Sequence, residues 1–139
     1  MKKGVTVKSP MIVSVIVLWG YLSSVPSGAA QAPPTAKTVS HEDADKGYMQ
    51  LLSGPPETVT MRSGRVMLSP GKSVGKHSTG TNEEILVILE GQGEMQIAGG
   101  TTLQLNRSVV AYCPPNTEHD VLNNGTGILR YVYIVARAK

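Results

Sequence analysis

Two short stretches of this chain gather the residue types that hold metal ions. The first runs Gly71-Lys72-Ser73-Val74-Gly75-Lys76-His77-Ser78-Thr79, followed by Glu84 and then by Gly91. The second is Pro114-Pro115-Asn116-Thr117-Glu118-His119, with Cys113 immediately before it and Asn123 after it. Imidazole suits Zn, Cu, Fe and Ni, whereas a carboxylate suits harder ions such as Mn and Fe. Two histidines with a carboxylate leave coordination positions open, and non-haem iron oxygenases use a set of that composition. Two histidines with a thiolate are the set of copper electron-transfer sites. Glu83 adjoins Glu84, but neighbours on a strand point to opposite faces, so Glu84 is the stronger candidate.

The elements that must position these residues read as short strands. ETVTMRSGRVMLS, from Glu57, alternates apolar and polar residues. ILVILE, GEMQIA, TTLQL, SVVAYC, HDVLN and GILRYVYIVA are rich in Val, Ile, Thr and Tyr. Gly91-Gln92-Gly93, Gly99-Gly100, Pro114-Pro115-Asn116 and Asn123-Asn124-Gly125 supply turns between them. Short strands at this spacing predict an all-β sandwich or barrel over residues 57–139. His77 and Thr79 then share one strand face, as do Val109, Ala111 and Cys113. Met61, Met67 and Met95 are expected to fill the core of a chain without Phe. Tyr131 and Tyr133 share a face with Leu129 and Val135 and are expected inside or at a subunit contact. Residues 31–56 hold prolines and charges without sustained periodicity, which predicts a flexible linker with one short helix around Asp43 to Leu52. His41, in that stretch, is read as a surface residue.

The net charge of +3 does not mark a nucleic-acid binder. Lys2, Lys3 and Lys8 precede the apolar run MIVSVIVLWGYLSSV, and without them ten basic residues face ten acidic ones. Aromatic residues make up 4% of the chain, too few for a base-stacking platform. Basic start, apolar run and the small residues PSGAAQA together read as a signal peptide over residues 1–30. The protein is therefore expected to be secreted or periplasmic, with the membrane met only through that segment. A single cysteine allows no internal disulfide.

The two motifs resemble those of the cupin superfamily. Its first motif is a Gly, five residues, His-x-His, three or four residues, Glu, six residues and Gly. Gly71, His77, Glu84 and Gly91 fall in register with it, and Thr79 stands where the second histidine belongs. Its second motif is a Gly, five residues, Pro-x-Gly, two residues, His, three residues and Asn. Pro114, His119 and Asn123 fit, while Ser108 and Asn116 replace the glycines. Asn tolerates the left-handed conformation that a turn glycine supplies.

The resemblance implies a single jelly-roll barrel whose mouth holds one metal ion. Carried over by position, the ligands are His77, Glu84 and His119, with Thr79 a weak neutral donor. The family also places the residue before that proline inside the barrel near the metal, which makes Cys113 a further candidate ligand. Its alternative is a small buried hydrophobe. His77 and His119 have an alternative too, as polar barrel lining in a cupin without metal.

Three functions stay open at this point. The first is a metal-dependent enzyme on a small molecule, an oxygen-using oxidoreductase, with Glu84 as ligand or catalytic base. The second is a copper-binding or electron-transfer protein that uses Cys113. The third is a metal-free module for a small ligand. The ion is one transition metal among Cu, Fe, Zn and Mn. The family also implies a homodimer.

Overall fold

The computed structural model describes residues 32–42 and 47–139. The segment read as an export signal lies outside them. Among the described residues there is no helix, and eight strands build two antiparallel sheets. They are β1 (Tyr48–Leu52), β2 (Arg62–Leu68), β3 (Asn82–Glu90), β4 (Gln92–Ile97), β5 (Thr102–Asn106), β6 (Val110–Cys113), β7 (His119–Leu122) and β8 (Leu129–Arg137). The larger sheet has the order β1-β2-β8-β3-β6 and the smaller β5-β4-β7. This is the all-β architecture expected from the strand pattern, in the jelly-roll form that the cupin resemblance implied.

Alternation along each strand sends one set of side chains between the sheets. Leu86, Ile88, Met95, Leu105, Ala111, Cys113, Val121, Leu129 and Tyr131 form that core. Of the three methionines expected there, only Met95 is fully buried. Met67 is half-buried beside the Arg65 guanidinium, and Met61 is exposed. The reason is parity, since Arg65 and Met67 lie on the outer face of β2 while Gly64, Val66 and Leu68 lie on the inner one.

The linker expectation fails at residues 48–52. These form β1, paired antiparallel to β2 through Tyr48↔Val66 and Gln50↔Gly64, so this stretch is a strand instead of the end of a helix. The pairing is tertiary, and a five-residue strand among prolines and charges carries little periodicity of its own. Tyr133 reaches across the intervening strand to hold β1. A Cβ on Gly64 would lie 2.7 Å from the Tyr133 ring, so only glycine leaves room for it. The ring then stacks on Tyr48 at 6.3 Å, and the two hydroxyls meet at 2.8 Å. β8 is therefore a central strand with Tyr131 and Tyr133 facing inward.

The motif turn residues carry backbone roles. Ser108 and Asn116, which replace glycines, both adopt positive φ, 72° and 56°. Gly91 has φ 83° and would clash with the Ile128 carbonyl at 2.1 Å if it carried a Cβ. Asn123 is completely buried. Its Nδ2 donates to the carbonyls of Leu68 and Gly127 at 2.7 and 2.8 Å, and its Oδ1 accepts from the Gly125 amide at 2.9 Å. One side chain thus ties the end of β2 to the turn before β8.

Candidate metal centre

His119 opens β7 with its side chain turned into the barrel. His77 lies in the loop between β2 and β3 and meets His119 through an isolated antiparallel bridge. The His77 amide donates to the His119 carbonyl at 2.9 Å, and the reverse bond is 2.8 Å. The 77–79 stretch is therefore not the regular strand expected. Glu84 comes from the inner face of β3 on the opposite sheet, level with Val135 of β8 and Cys113 of β6.

One donor atom each from His77, Glu84 and His119 lies within 4.8 Å of the other two. Glu84 and His119 are buried, and His77 is half-exposed. In both histidines Nδ1 is occupied by a backbone carbonyl. For His77 it is Gly75 O at 2.8 Å, and for His119 it is Thr117 O at 3.1 Å. A carbonyl only accepts, so Nδ1 carries the proton in each ring and Nε2 keeps its lone pair, which is the tautomer a metal needs.

His119 Nε2 lies 3.1 Å from Glu84 Oε2. The approach is not aligned as a hydrogen bond, and both atoms are buried without a hydrogen-bond partner. Protonation of the ring at Nε2 sets a donor against that carboxylate. The neighbouring Glu84 carboxylate raises the His119 pKa above its ordinary value, burial works against it, and the Thr117 carbonyl adds to the rise. Leaving a buried polar atom unsatisfied costs roughly 1–3 kcal/mol. A cation between the two atoms removes that cost on both sides, so these residues fit a transition metal ion by geometry and by donor chemistry.

Thr79 and Cys113 stand outside this set. The Thr79 hydroxyl donates to the Asn82 carbonyl at 2.9 Å and belongs to the turn. The Cys113 sulfur is fully buried and lies 3.2 Å from Nδ1 of His119, the nitrogen remote from Glu84. Burial pushes its pKa up, with the Glu84 charge adding to the shift, so the metal-free site holds a thiol. Thiols bind metals as thiolates. Glu83 faces outward as expected and accepts from the Tyr112 hydroxyl at 3.2 Å. His41 is exposed beside a cavity of about 310 Å³ on the outer face, shared with Glu42, Arg65 and Arg130.

Sequence reasoning missed Asp120 and Gly75. Asp120 Oδ1 accepts from the Gly75 amide at 2.9 Å, and the Gly75 carbonyl in turn takes the His77 ring. Gly75 has φ 92°, open to glycine at little cost. The only signals were an acid beside His119 and a glycine two residues before His77.

Comparison with known proteins bears on the fold and the family. The cupin domain family profile matches residues 64–135, just over half of the chain. The chain is similar to a cupin 2 conserved barrel domain protein from Salinispora arenicola, with 20% identity, TM-score 0.62, and 75% of this chain and 92% of that one covered. It is similar to an RmlC-like cupin family protein with a double-stranded β-helix fold from Methanocaldococcus jannaschii, with 17% identity, TM-score 0.62, and coverage of 73% and 91%. The cupin domain of Schizosaccharomyces pombe Cnp3 gives 21% identity and TM-score 0.59, and the match spans 66% of this chain and 64% of that one. No curated protein matches the chain. The profile match, the jelly-roll and the register of both motifs lead to one conclusion: this chain belongs to the cupin family.

Proposed function

We propose that this chain is an exported single-domain cupin that holds one transition metal ion through His77, Glu84 and His119 and acts on a small molecule as a metal-dependent oxidoreductase. The supporting observation is the convergence of Glu84 Oε2 and His119 Nε2, buried without hydrogen-bond partners, beside a second imidazole whose Nδ1 is also anchored. Two imidazoles and one carboxylate leave open positions for a substrate. When bound, the ion supplies Lewis acidity, and iron or copper adds one-electron chemistry.

The residues divide that work. Gly75 and Thr117 carbonyls orient the two rings. Glu84 supplies the negative charge and can hold a proton at its free oxygen. Val135 and Leu86 place apolar surface beside it and restrict water. His77, half-exposed, marks the side from which a small molecule enters.

Export is supported by the lysines and apolar run at the start of the sequence. A homodimer through the outer face of the larger sheet is supported by Ile85, Val110 and Tyr112, which are exposed there. A metal-free ligand-binding module is the second reading, favoured by the 3.1 Å Glu84–His119 approach, which also suits a bare ion pair. Elemental analysis of protein purified from the exported fraction decides between them. About one equivalent of a transition metal is expected. Less than about 0.2 equivalents, unchanged by reloading with Cu, Zn, Fe or Mn, would favour the metal-free module.

A further inference from the structure

We propose that Cys113 is a positioning residue for His119 and not a metal ligand. The inference rests on the metal reading of the site, and its test separates the two.

Cys113 and Glu84 are direct partners in the β3–β6 ladder. That cross-strand pair grips the His119 ring from both ends. Glu84 Oε2 lies 3.1 Å from Nε2, and Cys113 Sγ lies 3.2 Å from Nδ1. The two ring nitrogens point in diverging directions, so a group seated on Nδ1 does not reach an ion held at Nε2. The unpartnered, buried Glu84 and His119 atoms mark where the ion belongs, and the sulfur is on the other side.

The Nδ1–H of His119 has two acceptors, the Thr117 carbonyl at 3.1 Å and the sulfur. The carbonyl comes from only two residues before the ring and moves with it. The sulfur belongs to β6, a different strand of the other sheet. It therefore fixes the ring relative to the strand that carries Glu84. Cys113 is also fully buried, so no water reaches Nδ1 to compete. Outer contacts of this kind typically change metal affinity by roughly 10–100-fold.

The test uses the whole protein with Co(II) or Zn(II) as the probe. Cys113→Ala is expected to weaken binding about tenfold, and Cys113→Ser to restore it to within about threefold. Nitrogen NMR relaxation of the metal-free protein should show the His119 ring rigid in the wild type and in C113S and mobile in C113A, with the proton kept on Nδ1 by the Thr117 carbonyl in all three. If C113A does not fold, Cys113→Val carries the same test, since it fills the volume without an acceptor. Unchanged affinity and an equally rigid His119 ring in C113A or C113V would overturn the proposal. So would a sulfur-to-metal charge-transfer band in the Co(II) protein that C113S abolishes. If the wild type binds no metal, the metal reading fails, and the ring-mobility comparison still decides the role of Cys113.

Discussion

His77 and His119 are joined backbone to backbone, each amide donating to the other's carbonyl, with ring centroids 4.4 Å apart and planes tilted by 55°. The bridge brings a loop histidine and a strand histidine to one point on the smaller sheet. Glu84 reaches that point from the larger sheet, so the site depends on the two sheets closing together.

Acidity acts in opposite senses on the metal-free and metal-bound protein. The folded-state pKa of His119 is raised above its ordinary value of 6.5, chiefly by Glu84. The stabilisation from that pair is therefore fully present below pH 6.5 and is lost as pH rises through the folded pKa. Metal binding needs the unprotonated ring and strengthens as pH rises. Calorimetry of metal-free wild type and Glu84→Gln should show a stability difference that shrinks with rising pH, while metal affinity of the wild type climbs.

Asp120 acts on His77 through Gly75. Asp120→Ala removes the acceptor that fixes the Gly75 amide and is expected to weaken metal binding about tenfold while the barrel stays folded. Asp120→Asn keeps an oxygen acceptor and should recover most of the loss. A competition titration against a chelator reads both.

Asn123 is structural. Asn123→Ala leaves the Leu68 and Gly127 carbonyls and the Gly125 amide without their partner, and is expected to cost about 3 kcal/mol or more. Any folded fraction should bind metal with wild-type affinity. Denaturant unfolding and metal titration separate the two effects.

Ser108 and Asn116 sit in left-handed backbone regions that suit glycine. Ser108→Gly is expected to stabilise the fold by about 0.5–1 kcal/mol, the steric relief less the entropy glycine adds. Asn116→Gly should gain less, because Asn tolerates the conformation better. Thermal unfolding measures both.

The sequence pattern carried most of the barrel and the centre of the site. The Val, Ile and Thr runs announce β3 to β8, and the spacing of His77, Glu84 and His119 survives folding as a cluster. β1 was hidden because its stability comes from β2 and from Tyr133 lying over Gly64, a contact between distant residues. The role of Cys113 was hidden for a related reason. Its position in the chain shows that it faces inward, but not which ring nitrogen it meets. That depends on the register of β3 against β6. Asp120 was unreadable because it acts through the backbone of a loop.

The most direct test is the stoichiometry of metal binding in wild type, His77→Ala, His119→Ala and Glu84→Gln, measured by titrating the metal-stripped proteins with Co(II). One ion per wild-type chain is expected, with each substitution weakening binding about 100-fold or more. Full affinity in any of the three folded variants would contradict a site built from these residues.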